Sequence, residues 1–135
     1  MSAFYDALET RSADAREAAL LAALPGQINH AKAKSPYFAR LLAEVDPAAI
    51  TTRQALAALP VTRKSELTDL QAADAPFGGL TATPTGALRR VFASPGPIYD
   101  PEGEGADWWR LARALYAAGF RKGDLLHNCF SYHFT

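Results

Sequence analysis

The sequence predicts an α/β fold: an N-terminal helical layer (residues 1–88) followed by a strand–loop–helix–strand parallel unit (residues 89–135). Together the two regions form one incomplete domain. Three observations carry this reading. The first half is rich in alanine, with apolar residues at helical spacing. The pattern changes at Arg90-Val91-Phe92-Ala93, a short apolar run between turn residues. A second apolar run, Leu125 to Phe134, follows a helical stretch, and strands joined by a helical crossover are parallel with a right-handed connection.

Residues 2–11 read as a polar lead-in anchored by Phe4, Tyr5 and Leu8. Ser12 or Thr10 can cap the first helix, with Asp14 and Glu17 near its positive end. Its stripe of Leu21, Leu24, Ile28 and Ala31 runs straight across Pro25-Gly26. A proline there removes a donor and crowds the preceding turn, so the unbroken phase predicts one kinked helix rather than two. Ser35-Pro36 is a helix start, serine at the N-cap and proline at N1. Tyr37, Phe38, Leu41, Leu42 and Val45 then form its apolar face. Asp46-Pro47 repeats the start signal for a short turn. Thr51 and Gln54 read as a capping box for a brief helix carrying Leu56 and Leu59, which Pro60 ends. Thr62 is expected to cap the next helix, with Leu67 and Leu70 on one side. Pro76, Gly78, Gly79, Pro84 and Gly86 mark an irregular crossing.

In the second half the expected order is a strand (Arg89 to Ser94), a loop (Pro95 to Gly105) and a helix (about Ala106 to Ala118). A turn (Arg121 to Asp124) then leads to a strand (Leu125 to Phe134). Trp108, Leu111, Ala112, Leu115 and Ala118 form the helix face, and Gly119 is its natural C′ residue.

At 135 residues the chain is one domain or a piece of a larger one. An apolar fraction of 49% suffices for a packed core, and 21% charged residues argue against disorder. Fourteen basic residues balance fourteen acidic ones. That argues against a dedicated nucleic-acid or membrane-surface binder, because phosphate neutralisation needs a basic surplus. A single cysteine, Cys129, excludes an internal disulfide. No secretory leader pattern or membrane span is present in the sequence, so the expected compartment is the cytoplasm.

Few residues offer chemistry. His30 sits among lysines and reads as an exposed helix residue. The loop Ser94-Pro95-Gly96-Pro97 follows a strand, as a phosphate loop would, but also reads as an ordinary connection of turn residues. Its two prolines remove two N–H donors, and neither a P-loop lysine pattern nor a G-x-G-x-x-G is present. His127, Cys129, Ser131 and His133 alternate onto one side of the last strand. Strand rise puts His127 and His133 about 20 Å apart, so one ion cannot take the whole set and no metal site is expected. Asn128, Phe130, Tyr132 and Phe134 take the other side. Aromatics there are ordinary core or, at the carboxyl edge of a parallel sheet, the wall of a ligand site.

Several ordered segments resemble a known family. Ser35-Pro36-Tyr37-Phe38 is similar to an "x-P-F-Y" helix start. Leu59 to Leu67 is similar to "L-P-x-T-x-K-x-D-L", with Pro76-Phe77-Gly78 after it. Arg90 to Ser94 is similar to "R-I-x-A-S", and Ala117 to Asn128 to "A-A-G-x-x-x-G-D-x-x-H-N". Over nearly its whole length the chain resembles the N-terminal part of phenylacetate–coenzyme A ligases, in the adenylate-forming (AMP-binding) superfamily.

The resemblance implies part of the large N-terminal domain of an adenylate-forming enzyme, an acid–thiol ligase that forms AMP. An aromatic or other small carboxylate would attack the α-phosphate of Mg-ATP, giving an acyl-adenylate and pyrophosphate. Coenzyme A would then displace AMP. ATP, Mg2+ and coenzyme A are thus implied for a full-length parent, with none expected to bind this portion tightly. Phe130 and Tyr132 match positions lining the acyl or aryl pocket, and His133 matches a histidine beside the carboxylate.

The resemblance also implies that the adenine and ribose motifs, and a C-terminal domain with a catalytic lysine, lie beyond Thr135. The 135 residues are therefore expected to be inactive alone, as a fragment. A non-catalytic helical binding or oligomerisation module derived from that scaffold is the alternative, and an exposed strand edge predicts a homodimer or partial disorder. The chain departs from the family at one point. The family's phosphate loop reads "S-S-G-T-T-G-K-P", and here only Ser94 and Gly96 keep their places.

Overall fold

The computed structural model describes residues 3–94, 96–127 and 129. Five helices and a two-stranded sheet are found among them: α1 (Ala13–Lys34), α2 (Pro36–Leu41), α3 (Arg53–Ala57), α4 (Leu67–Ala73), β1 (Arg90–Ser94), β2 (Ile98–Glu102) and α5 (Ala112–Ala117). The helices, with short 3-10 turns between them, form a layer. The sheet and α5 follow.

α1 starts where Ser12 accepts a hydrogen bond from Ala15 N at 3.1 Å, which decides between the two candidate caps. It continues through Pro25 as one helix to Lys34. Ser35 ends α1 and starts α2. Its hydroxyl accepts from Phe38 N (3.3 Å) and donates to Gly79 O (2.7 Å). Tyr37 N donates to the same carbonyl at 3.1 Å. One buried serine therefore caps a helix and ties the Gly78-Gly79 crossing to it. Both glycines have positive φ, and a Cβ on Gly78 would lie 3.0 Å from the Leu70 backbone.

Ile28, Leu42 and Ile50 are the buried centre of the layer, with Leu24, Phe38, Leu41, Val45, Ala55 and Leu59 packed around them. Lys32, one turn from Ile28, donates to Ala43 O and Val45 O and satisfies carbonyls left open after α2. Arg53 forms a two-pronged pair with Glu17, linking α3 to α1.

Two caps differ from expectation. α3 is capped by Thr52, which accepts from Ala55 N, rather than by Thr51. Thr62 caps nothing; its hydroxyl donates to the Tyr37 phenol oxygen, Oη, at 3.1 Å. Glu66 instead reaches back to Arg63 N before α4. In each case neighbouring residues offer equivalent oxygens, and packing selects among them.

The second half corrects the sequence reading more deeply. The expected loop from Pro95 to Gly105 contains β2, which pairs antiparallel with β1 in the register Arg90↔Glu102 to Ser94↔Ile98. The unit thus begins with a hairpin. The helix expected from Ala106 is only Ala112–Ala117. Asp107 accepts from Leu111 N and Ala112 N, and Arg110 takes φ +57°, so the chain turns where a helix was expected to begin. The end of α5 follows expectation. Gly119 has φ +102°, its N–H bonds Tyr116 O, and Phe120 N bonds Leu115 O, the paired bonds of a Schellman motif. Leu125–His127 carry no strand. Asn128 and residues 130–135 lie outside the described residues, and with them most of the expected parallel strand.

α4 holds the hairpin. The buried side-chain amide of Gln71 donates to Tyr99 O at 2.9 Å and accepts from Tyr99 N at 2.8 Å. One turn earlier, Thr68 donates to Gly96 O at 3.2 Å. Replacing Gln71 with leucine strands both Tyr99 backbone groups and is expected to weaken the docking by about 1–3 kcal/mol. Hydrogen exchange reads this directly. The Tyr99 amide should lose protection while the helical layer keeps its far-UV signal, and an equally protected Tyr99 would refute the assignment.

Candidate functional site

The sequence-predicted phosphate-loop residues lie at the tip of the hairpin. Ser94 and Ile98 face each other across the two strands. Between them lie Pro95, Gly96 and Pro97, so Gly96 has the single N–H of the turn. Gly96 takes φ +112°, a region open to glycine. Its carbonyl is bound by Thr68. The Ser94 hydroxyl donates across the turn to Ile98 O at 3.4 Å. The structure therefore brings the two residues together, with the Ser94 hydroxyl bonded across the turn and the Gly96 carbonyl held by α4.

At the other end of the hairpin is a charged cluster. Glu102 is 4% exposed. Arg90 Nη2 donates to its Oε1 at 2.9 Å, and Trp109 Nε1 to its Oε2 at 3.1 Å. Arg89 N donates to its backbone carbonyl at 2.7 Å. The Trp109 and Phe92 rings meet edge to face at 5.9 Å, and the Arg90 guanidinium lies 6.0 Å from the Phe92 ring. The Trp109 hydrogen bond holds the Glu102 carboxyl below its ordinary range, with Arg90 and Arg89 adding to the effect against the opposing effect of burial. Glu102 is thus a fixed negative charge on the same hairpin as the turn.

Two further arginines in this half are engaged. Arg113 pairs with Asp6 at 2.7 Å. Arg121 stacks 3.5 Å from the Tyr116 ring and donates to Tyr116 O and Phe120 O. No lysine falls between Lys64 and Lys122.

The other candidates are less informative. His30 is exposed on α1, beside an open cleft of about 530 Å³ lined also by Lys34, Asp74, Phe77, Thr81 and Thr83. His127 and Cys129 are exposed. Phe130, Tyr132 and His133 lie outside the described residues, as does Ser131. Among the described residues no cluster of three or more His, Cys, Asp or Glu could hold a metal ion, and no helix is long and apolar enough to cross a membrane. Sequence reasoning missed Thr68, Gln71 and Glu102. The available signal was the i, i+3 spacing of two polar side chains on α4, which face one partner together.

No family model matches the chain. It is 32% identical to the phenylacetate–coenzyme A ligase of Pseudomonas putida over 139 residues, covering 96% of this chain and 30% of that protein. It is 38% identical to the phenylacetate–coenzyme A ligase of Thermus thermophilus over 106 residues, covering 72% of this chain and 23% of that one. The chain thus spans less than a third of the length of these relatives. Two crystal structures of 2-hydroxyisobutyryl-CoA ligase share its fold. One, in the postadenylation state with R3-HIB-AMP, matches at TM-score 0.72 and 28% identity over 85% of this chain and 26% of its own. The other, with 2-HIB-AMP and CoA in the thioesterification state, matches at TM-score 0.75 and 26% identity over 91% of this chain and 28% of its own.

Because the Glu102 carboxyl is held below its ordinary 4.5, its contribution to stability is complete above about that pH. It is lost as pH falls through the lower folded value. Glu102→Gln should therefore be less stable at neutral pH and show a shallower acid dependence, read from tryptophan fluorescence during acid titration. Superimposable acid curves for the two proteins would remove Glu102 from the account.

Proposed function

The chain belongs to the phenylacetate–coenzyme A ligase-like proteins of the adenylate-forming superfamily. From that membership we propose that it forms the N-terminal part of an AMP-forming aryl- or acyl-CoA ligase domain. The parent chemistry joins a carboxylate to coenzyme A through an acyl-adenylate, with AMP and pyrophosphate released. Similarity along 96% of the chain in sequence and 91% in fold carries the reading.

The pocket for the acyl or aryl group is assigned to Phe130, Tyr132 and His133. The aromatic rings of Phe130 and Tyr132 would face the apolar part of the acid, and the imidazole of His133 would lie beside the carboxylate. ATP, Mg2+ and coenzyme A belong to the full-length parent under this reading, and the compartment is the cytoplasm.

A second reading has support in one observation. The turn that would correspond to a phosphate loop is closed, with Ser94 and Gly96 engaged internally. That favours a non-catalytic helical binding or oligomerisation module, including a homodimer. Calorimetric titration of the natural-length protein with an aryl acid and AMP separates the two readings, since a module binds neither.

These 135 residues alone are expected to yield no acyl-coenzyme A in a coupled thiol-consumption assay with ATP, coenzyme A and an aryl acid. Steady product formation by this chain alone would sink the expectation that the remaining nucleotide motifs are indispensable.

A further inference from the structure

Resting on the ligase reading above, we propose that the hairpin tip of this chain does not hold the β- and γ-phosphates of ATP. The domain built on it therefore works in the thioester half of the reaction, from a preformed acyl-adenylate. Polyphosphate recognition needs several N–H donors converging on one point, or cations, or both. The turn between Ser94 and Ile98 has one N–H, on Gly96, because its other two residues are prolines. Thr68 holds the Gly96 carbonyl and the Ser94 hydroxyl is bonded to Ile98 O, so neither is poised toward a ligand.

The charges point the same way. Asp100, Glu102 and Glu104 follow the turn, and Glu102 stays ionised because Trp109 and Arg90 hold it. Arg90 is spent on that carboxylate at 2.9 Å. No lysine falls between Lys64 and Lys122, so the turn and the strands beside it supply no lysine to neutralise a triphosphate. The residues present therefore do not fit Mg-triphosphate. An acyl-adenylate is a less demanding ligand. Its single phosphate, a mixed anhydride with the acid, carries about one charge and presents no terminal phosphates.

The half-reaction balances without ATP. The coenzyme A sulfur attacks the acyl carbonyl carbon and a C–S bond forms. The bond from that carbon to the phosphate oxygen breaks, AMP leaves with the electron pair, and the thiol proton passes to solvent. A separate adenylating reaction must supply the acyl-adenylate.

The test uses the protein at its natural length, with a synthetic phenylacetyl-adenylate and coenzyme A in one arm. Acid-dependent exchange of labelled pyrophosphate into ATP is followed in the other. Thioester formation is expected, with exchange slower by on the order of 100-fold or more, the scale of losing one preorganised donor. Exchange at a rate matching thioester formation overturns the proposal and leaves the ligase reading standing. Absence of both activities removes the ligase reading and this proposal with it.

Discussion

The amide of Gln71, bonded through both its ends to the backbone of Tyr99, joins the hairpin to the helical layer. A single buried side chain does what a neighbouring strand would do: it donates to one carbonyl and accepts from one N–H of β2. A two-stranded ribbon is marginal by itself in water. Here one edge of it is read by α4, and Thr68, three residues before Gln71, holds the tip from the same helix face. The hairpin's position, and with it that of the turn and of Glu102, follows from those two residues. The Ser35–Gly79 bonds act one level further back, because they fix the crossing that leads from α4 toward β1.

The other side of the hairpin is open. Phe92, Trp108, Trp109, Leu111, Leu115 and Phe120 are all exposed large hydrophobics, and Leu125 is 99% exposed. The chain exposes 10175 Å². A compact monomer of its 14.5 kDa mass would expose about 6,900 Å². The core of Ile28, Leu42 and Ile50 is correspondingly small. Such a ratio suits a layer of a larger fold, in keeping with relatives and neighbours three to four times its length.

Local features were legible in the sequence, and distant ones were not. Ser12, Ser35 and Asp46 act as caps because the bonded groups lie two or three residues away, and short-range chemistry of that kind is written in the residue order. Gly119 was readable for the same reason. The hairpin was misread because its strand-forming residues are interleaved with loop residues. Ile98 and Tyr99 favour a strand, while Pro97, Pro101 and Gly103 favour a loop. Pro101 fits because it sits in a short strand where β1 supplies the pairing. Arg110 at positive φ gives no sequence signal, since arginine has no preference for that region. Gln71 bonds a residue 28 positions away, and nothing in a polar helix residue announces which backbone it will meet.

The closed tip and the ordered hairpin are one structural change seen from two sides. A loop able to surround phosphates must keep its N–H groups unpaired and its backbone away from strand pairing. A turn of three residues between Ser94 and Ile98 does the reverse: it carries the strand register to its limit and leaves one N–H between them. Once β2 is in register, Glu102 falls opposite Arg90, and the two charges pair within the hairpin at 2.9 Å. Trp109 then bonds the same carboxylate and packs on Phe92, which joins the segment before α5 to the sheet. Opening the tip to admit a polyphosphate would therefore break more than the turn. It would pull at the Thr68 and Gln71 contacts on one face and at the Glu102 cluster on the other.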